Sequence, residues 1–378
     1  MKFSKENLQT IILAAVMVII IAAAWIMYKS NPITDSRLTS DAISYEKAKV
    51  VEIINEEITK NESTDNRNIG VQEIAVKFIS GKEKGKIKSI ENQVTTTHNI
   101  YVKKGQRVVI KVDAPENTEA YYTVYNYDRM PGITLIGIIF ALLMVLVGKS
   151  KGLKSVCGLI FTLLFICIFL IPMIYQGYSP IAVCIVTVAI TASTSMLLLN
   201  GFSKKTYVAI ISVIIGVVMA SIFFAIFSGI LNLSGYNLEE AEELIIIQQS
   251  SGLKISELLF IGIIIASLGA IMDMTVSVAS PLFEVKKQNR NITQKQLFKS
   301  GMDMGSDMIG TMCETLILAF FGTSITTILV VVSYGTQMSQ FLCSDYIAIE
   351  IAHSITGAVA VILTVPVTSA LCTLIHTK

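Results

Sequence analysis

Residues 301–322, "GMDMGSDMIGTMCETLILAFFG", combine an apolar stretch typical of a membrane-spanning helix with three acidic side chains. A carboxylate in the hydrocarbon of a bilayer costs about 2.5–3.5 kcal/mol even on lenient insertion scales. At 100° per residue, Asp307 lies about 40° and Glu314 about 20° from Asp303 around the helix axis. The carboxylates share one narrow face, and the opposite face is apolar. The stretch therefore predicts a membrane helix with an acidic stripe.

The composition places most of the chain in a membrane. Of 378 residues, 53% are hydrophobic and 15% are charged, whereas soluble domains contain about 25% charged residues. The net charge of +2 gives no reason to expect a nucleic-acid partner. None of the six cysteines lies within 29–131, so no disulfide framework is expected there. Three histidines exclude a histidine-rich metal site within one chain. We expect no cofactor and leave metal binding undecided.

Eight stretches are long and apolar enough to cross a bilayer, which takes about 20 helical residues. They lie at approximately 10–28, 132–148, 156–175, 180–199, 207–231, 258–282, 305–332 and 347–373. The first follows two lysines, as a signal peptide would, but its apolar run is longer than a signal peptide needs. Trp25 and Tyr28 near its end suit an interfacial anchor. We therefore predict a retained anchor helix over 1–28 and a seven-helix membrane domain over 132–378.

The basic residues predict the orientation of the spans. With the N-terminus inside, the short inner segments hold 13 Lys and Arg residues, from Lys2 to Lys378, and the short outer loops hold only Lys254. Cytoplasmic loops are the ones enriched in Lys and Arg. We predict a multi-pass protein of the cytoplasmic membrane with both termini in the cytoplasm and residues 29–131 on the outer side.

Residues 29–131 carry the pattern of a small β domain. Alternating or β-branched runs occur at 46–54, 71–79, 86–91, 106–112 and 121–127, and turn-forming segments such as "SGKEKG" and "APENTE" separate them. Five short strands in about 100 residues are typical of a small closed barrel of the OB or SH3-like type. The chain is thus predicted to be a polytopic α-helical membrane protein of about eight spans, with an extracytoplasmic barrel-like domain between spans one and two.

Spans six and eight repeat the one-sided pattern of span seven. Ser277 and Ser280 fall within about 40° of Asp273 on span six, and span eight carries Glu350 and His353. Ionisable groups in a membrane face the bundle interior or a water-filled cavity and pair with one another. We therefore predict a polar pathway between spans six, seven and eight. Its predicted lining consists of Asp273, Ser277, Ser280, Asp307, Glu314, Glu350 and His353.

The acidic residues of spans six and seven lie at two different depths in the membrane. Asp273 and Glu314 lie near mid-depth, and no Lys or Arg lies in any span to neutralise them. Because removal from water disfavours a charged carboxylate, we expect both to be protonated or cation-bound at rest. Asp303 and Glu284 lie at span ends close to lysines. For these two we expect interfacial ion pairs.

The segments "GAIMDMTVSVASPLFEV" (269–285) and "LFKSGMDMGSDMIGTMCETLILAFFGTS" (297–324) resemble the YibE/F-like family of bacterial membrane proteins. The resemblance extends more loosely over the membrane portion from about 132 onward. It implies a polytopic inner-membrane protein for which transport is the usual suggestion. The positions that match the family motif are Asp273, Ser277, Ser280, Gly301, Asp307, Gly310, Thr311 and Thr315. Glu314 departs from that pattern, in which an uncharged polar residue is common.

These features favour a secondary transporter coupled to an ion or to protons, with a small solute or ion as its cargo and the lipid bilayer as its surroundings. The alternative is a non-transporting assembly or sensor protein, whose outer domain binds a protein partner or which forms a homo-oligomer. An intramembrane enzyme is the less favoured class. Asp273 and Asp307 are the two carboxylates that an aspartyl protease would need, but neither GxGD nor HExxH occurs. No catalytic residue is therefore predicted, and the absence of a Walker A motif excludes direct use of ATP by this chain.

Overall fold

The structure is a computed structural model that describes residues 5–30, 33, 40–115, 118–238 and 240–375. The chain divides into two compact units. One is Thr34–Leu143, and the other joins Met1–Ile33 to Met144–Lys378. Lys2 and Lys378, which contribute to the predicted orientation, lie outside the described residues.

The described residues form ten α-helices. They are α1 (Lys5–Ser30), α2 (Met130–Phe165), α3 (Ile171–Tyr175), α4 (Pro180–Asn200), α5 (Lys204–Leu231), α6 (Ala241–Ser251), α7 (Leu258–Gln288), α8 (Gln294–Ser333), α9 (Met338–Leu342) and α10 (Asp345–Ile375). Within this described part, seven helical runs are long and apolar enough to cross a membrane. The predicted class, a polytopic α-helical membrane protein with a small β domain, is confirmed.

Seven runs stand in place of eight predicted spans because spans two and three share the run Met130–Tyr175. This run is broken at Lys149, where φ is 51° and ψ is −131°. A β-carbon on Gly152 would overlap the backbone carbonyl of Met144, although residues eight apart in a straight helix are separated by about 12 Å. The chain therefore turns sharply within "GKSKG", and the turn needs glycine at position 152.

The β unit contains a five-stranded antiparallel sheet in the order β3-β2-β1-β4-β5. Its strands are β1 (Ile43–Asn61), β2 (Arg67–Phe78), β3 (Ile87–Val94), β4 (Arg107–Asp113) and β5 (Tyr121–Tyr127). All five predicted strands are present, with longer β1 and β2 than expected. β1 pairs with both β2 and β4, and register shifts after Val50 and Ile53 mark bulges, which bend strands. The sheet curls into a half-barrel rather than a closed barrel.

Side chains cross the open side of the half-barrel. Lys88 of β3 donates a hydrogen bond to the Tyr122 hydroxyl of β5, and this bond is the main cause that raises the pKa of Lys88. The rings of Phe78 and Tyr122 lie 5.8 Å apart between centroids. The two edge strands are therefore joined through side chains.

In the helical unit, α10 lies at the centre. It packs against α5, α7 and α8, and its Ala360, Val361 and Val365 are fully buried. The first helix joins this unit, because Leu13 and Met17 of α1 belong to one buried cluster with Phe161 and Leu198.

Candidate functional site

Glycines allow the neighbouring helices to approach α10 closely. A β-carbon on Gly357 of α10 would lie 2.5 Å from the Ser267 Oγ of α7, and one on Gly216 of α5 would lie 2.6 Å from the Thr364 Oγ1 of α10. Small residues permit such approaches in lipid, where helices associate through close packing and hydrogen bonds. Each close approach places a hydroxyl at a helix–helix contact.

The contact between α8 and α10 follows the same principle. Gly301 and Gly305 form a GxxxG motif, and β-carbons there would overlap Ser369 and Val365 of α10 respectively. Further along, the Cys313 Sγ lies 3.7 Å from the carbonyl oxygen of Ala358. The two helices therefore pack closely in antiparallel directions.

Six buried polar atoms of the helical unit have no hydrogen-bond partner among the described residues. We name this set the polar seam. Its members are Ser212 Oγ of α5, Ser267 Oγ of α7, and Glu350 Oε2, His353 Nε2, Thr356 Oγ1 and Ser369 Oγ of α10. The large majority of buried side-chain polar atoms in proteins have a partner, so each exception needs an explanation. Four of the six lie on α10, which makes this helix the centre of the candidate site. The four do not share one face, since Thr356 and Ser369 lie about 140° apart around the helix axis.

Glu350 and His353 are the two predicted site residues that belong to the polar seam. Ser324 of α8 is 1% exposed; its hydroxyl donates to the Phe320 carbonyl at 3.1 Å and also interacts with the Glu350 carboxyl. The His353 ring stands 5.9 Å from the Phe320 ring between centroids. Two ionisable side chains, both half-buried, thus lie beside residues of α8.

The predicted stripe of α7 lies on the other side of its helix from the packed core. Asp273 is exposed, and so are Gly262, Ala266 and Gly269, whereas Ser277 and Ser280 are half-buried. The buried face of α7 consists of apolar residues together with Ser267 and Thr275. Within one chain, Asp273 therefore faces outward, contrary to the expected inward orientation.

The acidic stripe of α8 shows the same reversal. Asp303, Asp307 and Glu314 are exposed, whereas Met312 and Leu316 of the apolar face turn toward the core. The physical reason is the GxxxG motif, which lies about 160° from Asp303 around the helix. The glycines of "GMDMG" carry the sequence signal for this packing, and they lie on the face of the helix opposite Asp303.

The expected interfacial ion pairs have mixed outcomes. Glu284 pairs with Lys287, at 3.9 Å between Oε2 and Nζ. Asp303 makes no ion pair with any residue that the structure describes. Nor does the described part of the chain contain a group of three His, Cys, Asp or Glu side chains arranged to hold a metal ion.

Sequence reasoning missed the buried hydroxyls of Ser267, Thr356, Ser369 and Ser324 as members of the site. Single hydroxyls on a span carry no sequence signal of their own, since Ser and Thr can donate to a carbonyl within the same helix. Ser267 and Ser369 differ from other hydroxyls because they lie opposite Gly357 and Gly301 of neighbouring helices, respectively. That pairing appears only in the packed bundle.

Together, the seven apolar runs and the half-barrel define a multi-span membrane protein with an additional β domain. Residues 136–378 match the family model described as YibE/F-like protein, and residues 42–127 match the YibE/F family N-terminal domain. The chain belongs to the YibE/F family, as the resemblance of its motifs predicted. No curated protein and no solved structure shows a significant match.

Proposed function

We propose that this YibE/F protein is a secondary transporter, coupled to an ion or to protons, whose polar route follows the polar seam along α10. The observation that carries this proposal is the set of six buried polar atoms that have no hydrogen-bond partner in the described part of the chain. In lipid such atoms are costly unless water, an ion or a polar solute meets them. A route for a polar solute requires groups of this kind.

Glu350 and His353 are the coupling pair in this proposal. They are ionisable and lie one helical turn apart on α10, and their buried Oε2 and Nε2 atoms have no hydrogen-bond partner among the residues that the structure describes. Asp273, Ser277, Ser280, Asp307 and Glu314 take part on a second surface, formed by the exposed faces of α7 and α8. In the transporter this surface is completed by a neighbouring protein or by a second copy of the chain.

Access of water to the seam tests the proposal without knowledge of the cargo. In a chain whose six cysteines are replaced by alanine, we compare Thr356→Cys with Ile355→Cys, using a small water-soluble thiol reagent on open membrane fragments. Thr356 is fully buried in the seam, and Ile355 is 44% exposed on the outside of the bundle. We expect Thr356→Cys to react at least about tenfold faster, because only a thiol in contact with water forms the reactive thiolate.

A second arm tests the coupling pair. With rates normalised to Ser89→Cys in the β domain, Glu350→Gln is expected to change the pH dependence of labelling at Thr356→Cys. Asp345→Asn, an exposed acid in the first turn of the same helix, should leave it unchanged. A Thr356→Cys variant as unreactive as Ile355→Cys at every pH would show a dry seam and contradict the transport proposal.

A non-transporting assembly protein is the second candidate, and the exposed carboxylates favour it. Asp273 lies at the middle of the 31-residue α7, and Glu314 lies halfway along the 40-residue α8. Neither carboxylate is stable against bare hydrocarbon, so another membrane helix would cover them. A dry seam in the labelling experiment, with a purified protein that runs as an oligomer, would favour this class.

We further propose that both termini lie in the cytoplasm and that the half-barrel lies outside the cytoplasmic membrane, with eight crossings because the chain turns at Lys149. The distribution of Lys and Arg supports this orientation. In intact cells we expect an impermeant thiol reagent to label Ser89→Cys and Ser234→Cys, and to spare Ser203→Cys and Gln294→Cys. Labelling of Ser203→Cys from outside would contradict the orientation, since Lys204 and Lys205 follow it directly.

A further inference from the structure

A pocket of about 670 Å³ lies where the first turn of α5 meets the last turns of α7. We name it the basic pocket. Its lining consists of Lys205, Ser280, Pro281, Phe283, Glu284, Lys286, Lys287 and Arg290. Four cations and one carboxylate give it a formal charge of +3. Such a concentration of one sign in a concave site favours an anionic ligand.

Among the described residues, Glu284 is the carboxylate that pairs with a cation of the basic pocket. Lys287 lies 3.9 Å from Glu284, but both side chains are exposed and such a pair contributes little. Lys286 donates to the carbonyl oxygens of Arg290 and Ile292 at 3.0 and 3.2 Å, which fixes the turn but leaves its charge uncompensated. The Arg290 guanidinium makes no hydrogen bond or ion pair with any residue that the structure describes.

Lys205 and Ser280 give the basic pocket a fixed polar wall. The half-buried Lys205 reaches from α5 to α7, where its Nζ donates to the Ser280 Oγ at 3.1 Å. Because the Ser280 oxygen accepts from Lys205, its own hydrogen remains available to a ligand. The N-terminus of the 28-residue α5 adds the positive end of a helix dipole beside Lys205.

The helix dipole explains only two of the four basic residues in the pocket. Lys286 and Lys287 occupy the last turn of α7, where cations stabilise the negative end of the helix dipole. That effect does not account for Lys205, which comes from another helix, or for Arg290, which follows the end of α7. Four cations around one cavity repel one another, and a bound anion would relieve that repulsion.

We propose that the basic pocket binds a phosphate group, carried either by an anionic phospholipid or by a soluble phosphate. Arginine and lysine are the side chains that hold phosphate oxygens, arginine through its planar fork and lysine as a point charge. Phe283 and Pro281 supply an apolar wall suited to the glycerol and acyl part of a lipid. Basic pockets between membrane helices bind lipid headgroups elsewhere. This site is separate from the polar seam. It shares Ser280 with the second surface of α7 and α8, but phosphate binding does not depend on the transport proposal.

Binding to the purified full-length protein in neutral detergent tests the proposal. The lipid arm uses dioctanoyl phosphatidylglycerol, the soluble arm uses inorganic phosphate, and dioctanoyl phosphatidylcholine is the zwitterionic reference. The Lys205→Gln/Arg290→Gln variant is compared with Lys204→Gln/Lys299→Gln, which loses the same charge from exposed lysines that do not line the pocket. Because hydrogen bonds to charged groups are lost, we expect the first variant to bind at least about tenfold more weakly.

The control variant should bind as the unmodified protein does. Tight binding of phosphatidylglycerol alone identifies a lipid site, and tight binding of inorganic phosphate identifies a site for soluble phosphate; either result supports the proposal. Equal affinities of the two variants, or no saturable binding of either probe, would overturn it. If Lys205→Gln disturbs folding, the same binding measurement is made with Arg290→Gln alone. The Arg290 side chain is exposed, so we expect this variant to fold normally.

Discussion

Gly305→Val should destabilise the helical bundle by disrupting the contact of α8 with α10. A β-carbon at this position would overlap the branched side chain of Val365 on α10. Valine at position 365 is fully buried and stiff at χ1, so it has no free space into which to move. Overpacking of this kind costs about 1–3 kcal/mol and sometimes more. We measure the temperature at which the protein in detergent loses its monodisperse peak on size-exclusion chromatography. We expect this temperature to be lower for Gly305→Val than for the unmodified protein.

Gly322→Val is the matched control, because a β-carbon on Gly322 of the same helix would meet nothing within 4 Å. Both changes carry the same difference in helix propensity, so only the contact with α10 differs. A compensating Val365→Ala in the Gly305→Val background should restore part of the lost stability, as expected for residues in direct contact. Equal stability of the two glycine variants would show that α8 and α10 do not pack through the GxxxG motif.

The sequence predicted the position of a helix or strand correctly where the residues of that element alone carried the pattern. Apolar length located the membrane helices, and β-branched alternation located the five strands of the half-barrel. Spans two and three were predicted at the right positions as apolar segments. The turn at Lys149 that joins them was not predicted, because it depends on the close contact between Gly152 and Met144. A turn of this kind is a property of two segments together.

The candidate site was predicted only in part, because the side of a helix that faces the core also depends on the neighbouring helix. Helical periodicity showed correctly that Asp303, Asp307 and Glu314 share one face, but it does not say which face meets a neighbour. Packing on α10 decides that question, and the small residues Gly301 and Gly305 give the closest approach. The exposed carboxylates and the half-buried Glu350 therefore occupy different environments, which spacing alone does not distinguish.

Glycine contacts also connect packing to the proposed function. The antiparallel contact of α8 with α10 is what places Ser324 beside Glu350 and Phe320 beside His353. A change at Gly305 acts on stability first and reaches the ionisable pair only through the position of α8. Loss of function in Gly305→Val would therefore not count as evidence for transport, whereas the Thr356 and Glu350 variants test that proposal directly.

Gln72→Leu should have the largest effect in the β domain, because one buried side chain satisfies both backbone groups of Val102. Gln72 is fully buried in β2; its Nε2 donates to the Val102 carbonyl oxygen at 3.1 Å, and its Oε1 accepts from the Val102 amide at 3.0 Å. Its Oε1 also accepts from Asn92 Nδ2 at 3.2 Å, and that nitrogen donates to the Ile100 carbonyl oxygen at 2.8 Å. Two side chains thus fasten the segment before β4 to the sheet.

A leucine would leave the Val102 groups buried without partners, at about 1–3 kcal/mol for each. Hydrogen-exchange mass spectrometry of the full-length protein should show roughly 30-fold faster exchange, or more, in peptides that contain Val102. Gln93→Leu on β3 is the control, since its exposed side chain donates only to Glu91 among the described residues. If both variants exchange at the same rate, the buried amides are not what holds this segment, and the half-barrel would rest on its apolar core and on the Lys88–Tyr122 bond across its open side.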